Sequence, residues 1–159
     1  MQSDPVATTA YLHQQMPLTK AMGLTIVCAS DELALVTAPL GPNLNHQQTA
    51  FGGSIATIGI TAGWVYLHCR LKRENVNARL IIQKTQVEYL NPANSDFEAR
   101  CTAPPQEEWD TFMATLRKRG RARMSRPAQI QCQGKITAIH HGSYVAIDEG
   151  LAKRKGIRG

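Results

Sequence analysis

Between Ser54 and Leu71 the chain has no carboxylate, and it has no cation before Arg70. This run is entered through the small-residue stretch Thr49-Ala50-Phe51-Gly52-Gly53. It limits the folds open to the chain more than any other feature. Ile55, Ile58, Ile60, Val65, Leu67 and Leu71 cannot share one face at about 3.6 residues per turn. A helix that is apolar around most of its circumference is buried around most of it. At about 20 residues the run would extend about 30 Å, the length of a membrane span. Ser54, Thr57, Thr61 and His68 interrupt it, however, and the flanking chain reads as amphipathic strands. The expectation is therefore a core helix with a sheet wrapped around it, and no membrane partner.

The flanks supply that sheet. Met1 to Thr9 is polar and is expected to fray. Ala10 to Met22 reads as a short helix that restarts at Pro17 and is capped by Gly23. Leu24 to Ala29 and Leu33 to Pro39 read as a hairpin, followed by a polar loop from Gly41 to Gln48. After the central helix come strands at Arg79 to Leu90 and Phe97 to Thr102. In the segment Glu107 to Arg119, Trp109, Phe112, Met113 and Leu116 recur at helical spacing. Its acids lie in the first turn and its bases in the last, which suits the helix dipole. Arg121 to Cys132 alternates, with Pro127 implying an edge or a bulge. Lys135 to His140 and Ser143 to Ile147 complete a hairpin that breaks around Gly142. The class is α+β: residues 1–148 form one domain, and the basic segment 149–159 is expected to be disordered.

With 159 residues, 43% of them hydrophobic and 19% charged, the chain is long enough for one core that needs no staples. Cys28, Cys69, Cys101 and Cys132 form no CxxC pair and sit among apolar neighbours, as reduced core thiols of a cytoplasmic protein do. The N-terminal segment combines no basic residues with an apolar run, so no secretion signal is expected. The net charge of +6 favours anionic partners. Much of it lies in Arg117 to Arg126 and in the tail from Lys153 to Arg158. Nucleic acid is disfavoured, because that cluster lacks exposed aromatics on which bases stack. His140 and His141 point to opposite faces of a strand, so they make no metal site. There is no phosphate loop or dinucleotide fingerprint.

Certain residues carry a resemblance. Asn45 stands six positions before Phe51, Gly52-Gly53 open the central helix, and Val87-Glu88-Tyr89-Leu90-Asn91-Pro92-Ala93 end a strand. This set is similar to hotdog-fold thioesterases of the PaaI-like branch. Thr49-Ala50-Phe51-Gly52-Gly53, Ala62-Gly63-Trp64 and Gly120-Arg121-Ala122-Arg123 resemble the YiiD C-terminal type more specifically. The resemblance runs from Pro17 to Asp148. It implies a curved antiparallel sheet around the central helix, and a homodimer or dimer of dimers. It also implies an interface site at the start of that helix, acting on thioesters of coenzyme A or acyl carrier protein without any other cofactor.

Thioester hydrolysis needs a polarised carbonyl and a positioned water. The free N–H groups of Gly52 and Gly53 are the candidate oxyanion contacts. The Asn45 amide would hold the water or the carbonyl, unless it only bonds its own loop. His46 is a candidate base. Phe51 and Ser54 flank the substrate. The PaaI-like branch has His at the position of Phe51 and an acid at that of Ile60, so the usual base is missing. Thr61 is the nearest substitute on the helix, unless its hydroxyl bonds back to its own turn. Glu88 is the other substitute. Arg121 and Arg123, with Arg126, Lys118 and Arg119, are candidates for coenzyme A phosphates or an acidic carrier. Two functions remain open: an acyl thioesterase, or a module that binds acyl thioesters without turnover.

Overall fold

The computed structural model describes residues 2–156. The chain begins with two short helices, α1 (Pro5–Gln15) and α2 (Pro17–Ala21). The first turn does not fray. The Asp4 carboxylate accepts from the Val6 N–H at 2.9 Å and Pro5 sits at the first helical position, so the helix starts at its cap. Six strands follow: β1 (Thr25–Ala29), β2 (Leu33–Ala38), β3 (Ala78–Tyr89), β4 (Phe97–Thr102), β5 (Arg121–Cys132) and β6 (Lys135–Asp148). Between them lie the central helix α3 (Gly52–Arg73) and the amphipathic helix α4 (Gln106–Arg119). The strands form one antiparallel sheet in the order β1-β2-β4-β5-β6-β3.

Helix α3 lies across one face of this sheet. Ile55, Ile58, Ala62, Val65, Tyr66, Leu67 and Leu71 are buried, as a helix without charges on its flanks must be. It sits unusually close to β6. A Cβ on Gly59 would lie 2.6 Å from the His140 Cβ, and one on Gly63 would lie 2.3 Å from the Tyr144 hydroxyl. The two glycines, one turn apart, form a notch for these two rings. The Tyr144 hydroxyl donates to the Ile60 carbonyl at 2.8 Å, locking the helix in place.

Strand β6 has no break. Gly142 pairs with Arg126 on one side and Thr85 on the other. Its hydrogen makes room for the rings of His140 and Tyr144, which a Cβ there would meet at 2.7 and 2.8 Å. The glycine is a packing requirement rather than a turn.

Pro127 is at a local edge inside a central strand. β4 pairs with β5 only from Phe97 to Arg100, opposite Cys132 to Gln129. Beyond that point α4 covers β5, and Pro127 removes an N–H that no strand would meet. Arg126 is not part of the exposed basic cluster. It faces inward at 4% exposure, donates to the Thr102 carbonyl at 2.7 Å, and its guanidinium lies over the Tyr66 ring at 5.7 Å. The strict alternation of β5 forces this, because Met124 and Ala128 on either side of it are core.

The segment expected to be disordered is partly helical: α5 spans Glu149–Lys155. Asp148 caps it, accepting from the N–H groups of Gly150 and Leu151 at 2.9 and 3.0 Å, and Glu149 pairs with Arg79 at 3.3 Å. Residues 157–159 of that segment lie outside the described residues.

The two edges of the sheet differ. β1 is short and bulged, and the N-terminal segment covers it: Ile26 N–H donates to the Thr9 hydroxyl and Ser3 N–H to the Ala29 carbonyl. β3 is twelve residues long and pairs only with β6. A bulge between Ile82 and Lys84 shifts its phase, so Ala78, Leu80 and Ile82 face α3 before it and Thr85, Val87 and Tyr89 after it.

Candidate active site

The start of α3 is held by three backbone contacts. Ala50 N–H donates to the Ala93 carbonyl, Phe51 N–H to the Asn43 carbonyl, and Leu44 bridges to Ala50. Asn43 ties this loop to the body by donating to the carbonyls of Met22 and Pro39 at 2.9 and 2.8 Å. Phe51 is the N-cap residue, and no side chain caps the helix. The N–H groups of the first turn, Gly52, Gly53 and Ser54, have no acceptor within the helix. They carry the positive end of the dipole of a 22-residue helix.

The Phe51 ring is 57% exposed and folds over Gly53, where a Cβ would stand 2.3 Å from its edge. Tyr89, also exposed, donates its hydroxyl to the Gly52 carbonyl at 2.7 Å. This ties the end of β3 to the first turn of α3. Ala50, Ile55, Tyr89, Leu90, Pro92 and Thr137 line a shallow pocket of about 250 Å³ here. From it, the less buried stripe of α3 (Gly53, Ala56, Thr57, Ile60, Trp64 and His68) faces the open side beside β3. At the far end of this groove Tyr11, Trp64, His68, Lys72 and Leu80 line a second pocket of about 320 Å³. There the near-parallel rings of Tyr11, Trp64 and His68 cluster, with His68 5.1 Å from Tyr11 and 4.5 Å from Trp64, and Tyr11 6.5 Å from Trp64. Burial, with a smaller contribution from Lys72, lowers the His68 pKa to about 4 and keeps that ring neutral.

The residues singled out in the sequence fall in three places. Asn45, His46, Phe51, Gly52, Gly53 and Ser54 are at the helix start. Asn45 organises the loop: its carbonyl oxygen accepts from Gln47 and Thr49 N–H at 2.8 and 3.1 Å, and its amide donates to the Thr49 hydroxyl at 2.9 Å. His46 is exposed on the same turn, and Ser54 is 8% exposed. Thr61 is 3% exposed, and its hydroxyl donates to the Thr57 carbonyl at 2.8 Å. It does not open on the groove. Glu88, Arg121 and Arg123 are on the opposite face of the sheet. Tyr89 reaches α3, so its neighbour Glu88 points away. Arg121 and Arg123 flank the core residue Ala122 and pair across Ile147 and Val145 towards Arg79 and Ile81. The α3 groove therefore has backbone amides and hydroxyls at its head, while Glu88 lies on the far face.

Two residues that pattern reading did not select meet on the groove floor. His140 is 0% exposed, and its Nε2 lies 2.7 Å from the hydroxyl of Thr85. Burial above all lowers the His140 pKa to about 4, with His141 adding to it. Thr85 is exposed, on the side of β3 that faces α3. The bulge concealed it from pattern reading, since plain alternation through Ile82 puts Thr85 outside. Among the described residues no group of three His, Cys, Asp or Glu converges as a metal site would require. Among them, too, no helix is long and apolar enough to cross a membrane.

A long helix lying in a single curved antiparallel sheet, with its uncapped start at one end of an open groove, defines a hotdog-fold protein of the thioesterase type. The match of one family model is more specific: the chain belongs to the family described as "Putative thioesterase (yiiD_Cterm)", over residues 6–148. Solved structures agree. A Chlorobaculum tepidum protein of unknown function is 27% identical, with a TM-score of 0.86 over 91% of this chain and 94% of that one. A putative thioesterase from Shewanella oneidensis is 28% identical, with a TM-score of 0.81 over 90% and 96%. A Pseudomonas aeruginosa protein described as a probable thioesterase shares the fold at 15% identity, with a TM-score of 0.80 over 94% and 99%.

Proposed function

We propose that the chain hydrolyses acyl thioesters of coenzyme A or of an acyl carrier protein, as a cytoplasmic homodimer or dimer of dimers. One observation carries the reading: no side chain caps the start of α3, so, next to the shallow pocket lined by Ala50, Ile55 and Tyr89, the amides of Gly52 and Gly53 have no acceptor within the helix. A thioester oxygen placed against them gains two donors and the helix dipole as negative charge develops. Glycine lets the carbonyl approach the backbone closely. Water then forms the new C–O bond, the C–S bond breaks, and the proton lost by the water ends on the departing sulfur. In this reading Asn45 and His46, from the loop that precedes α3, would border this position, with Phe51 and Ser54 beside it. The unpaired edge of β3 supports pairing with a second copy, which would close the open side of the groove.

A second reading rests on a specific observation. Ile60 stands on the groove stripe of α3 and Glu88 faces away, so neither supplies a carboxylate next to the amides. A site that polarises the carbonyl without a strong base could bind acyl thioesters without turnover. Free-thiol release from acetyl, medium-chain, long-chain and aromatic acyl-CoA separates the two. Release from one class supports the hydrolase. Binding of the same compounds without release selects the second reading, and neither binding nor release refutes both.

A further inference from the structure

The structure seats one imidazole with unusual care. His140 is fully buried on β6, beneath Gly59 of α3 and beside Gly142. A methyl group at either glycine would collide with its side chain, at 2.6 Å from Cβ and 2.7 Å from Cε1 respectively. Of its two ring nitrogens, Nε2 meets the Thr85 hydroxyl at 2.7 Å and Nδ1 has no partner. Thr85 is exposed, on the edge strand, on the groove side.

The unpartnered nitrogen sets the direction of the hydrogen bond. The ring is neutral, so one nitrogen carries a proton and the other a lone pair. Buried N–H groups left without an acceptor are rarer in folded proteins than acceptors left without a donor. The proton therefore sits on Nε2 and is donated to the Thr85 oxygen. The Thr85 hydroxyl, its oxygen occupied from below, turns its own proton into the groove. We infer that Thr85 is a ligand-binding residue, a hydrogen-bond donor aimed by His140 at a carbonyl oxygen of an acyl thioester lying in the α3 groove. His140 acts through Thr85 and is the positioning residue.

The placement fits a chain-like ligand. Thr85 lies four residues before Tyr89, about 13 Å along the strand from the helix start. A ligand whose thioester is at Gly52 and Gly53 meets Thr85 with a second carbonyl of its length, such as an amide of the coenzyme A arm. Edge pairing of β3 would not consume this hydroxyl, since side chains stand perpendicular to the direction in which strands bond. The inference deepens the proposed function and rests on its substrate class.

The test uses a non-hydrolysable acyl-CoA thioether with a ketone in place of the thioester, bound to full-length protein by calorimetry. Thr85→Val, which keeps the branched shape, should weaken binding about 3- to 10-fold, the worth of one neutral hydrogen bond. Thr85→Ser should restore it to within about twofold. Nitrogen NMR of the free protein should find the His140 proton on Nε2. A proton on Nδ1, or Thr85→Val binding as tightly as wild type, overturns the inference; so does wild-type protein that binds no such analogue. Wild-type protein that binds the analogue, with the expected variant effects, but releases no thiol from any acyl-CoA refutes hydrolysis and leaves Thr85 in place.

Discussion

Replacing Gly59 with alanine tests the closest contact in the fold. Helix propensity alone predicts stabilisation, since alanine is favoured over glycine by up to about 1 kcal/mol inside a helix. The structure predicts the opposite. The new methyl would lie 2.6 Å from the His140 Cβ and 2.7 Å from its Cγ, against about 3.5–4.0 Å for carbon atoms in ordinary contact. Roughly 1 Å of separation must be found. The obstacle is the root of a buried side chain on a central strand, so the helix itself has to lift. Overpacking of this kind costs about 1–3 kcal/mol, leaving a net loss of up to about 2 kcal/mol after the propensity gain. For a domain of this size that is a fall in melting temperature of up to about 8 °C. Urea unfolding followed by circular dichroism, at one fixed protein concentration, measures it. Gly53→Ala is the control. Its methyl would meet only the edge of the exposed Phe51 ring, which can swing away, and stability should stay within about 0.5 kcal/mol. A Gly59→Ala protein more stable than wild type by the full propensity gain of about 1 kcal/mol would refute the notch.

Three other outcomes follow from the same geometry. Because the pKa of His140 falls from 6.5 to about 4 on folding, its contribution is fully present above pH 6.5 and is lost as pH falls towards 4. The loss is of order 3 kcal/mol, and the urea midpoint of His140→Gln should fall less over that window than that of wild type. Asn45→Ala removes three loop bonds, so we expect a loss of about 1–3 kcal/mol with the fold retained and thiol release abolished; unchanged release would take Asn45 out of the reaction. Arg121 and Arg123 lie on the face away from the groove, so Arg121→Glu with Arg123→Glu should leave binding of a coenzyme A thioester within about twofold of wild type, the limit set by screened long-range charge. A larger, salt-dependent loss by calorimetry would bring the two arginines back to the coenzyme A phosphates.

Much of the fold was legible because it depends on unbroken periods. The uncharged run of α3, the spacing of Trp109, Phe112, Met113 and Leu116 in α4, and the alternation of β5 each allow one reading. The misreadings come from single residues whose meaning depends on what lies across from them. Gly142 looks like a turn until two rings occupy its flanks. Arg126 looks like part of a surface cluster until the parity of β5 carries it into the core. Asp148 looks like a strand end until it caps α5. The site was legible to the extent that it is backbone: Gly52, Gly53 and the loop before them. Thr85 and His140 were not, because one extra residue between Ile82 and Lys84 reverses which side of β3 faces the helix. The mark it leaves is one change of parity, from Ala78, Leu80 and Ile82 to Val87 and Tyr89.

The unequal edges of the sheet also bear on how far copies of this chain can assemble. Two of the places where another strand could add are closed: β1 by Thr9 and Ser3, and the bare half of β5 by α4 and Pro127. β3 alone is left. A sheet with one adhesive side can take one neighbour, and if that neighbour is a copy bound by the same strand, no free edge remains to recruit a third. Growth along the hydrogen-bonding direction would end at two, so the N-terminal helix and one proline guard against fibrils.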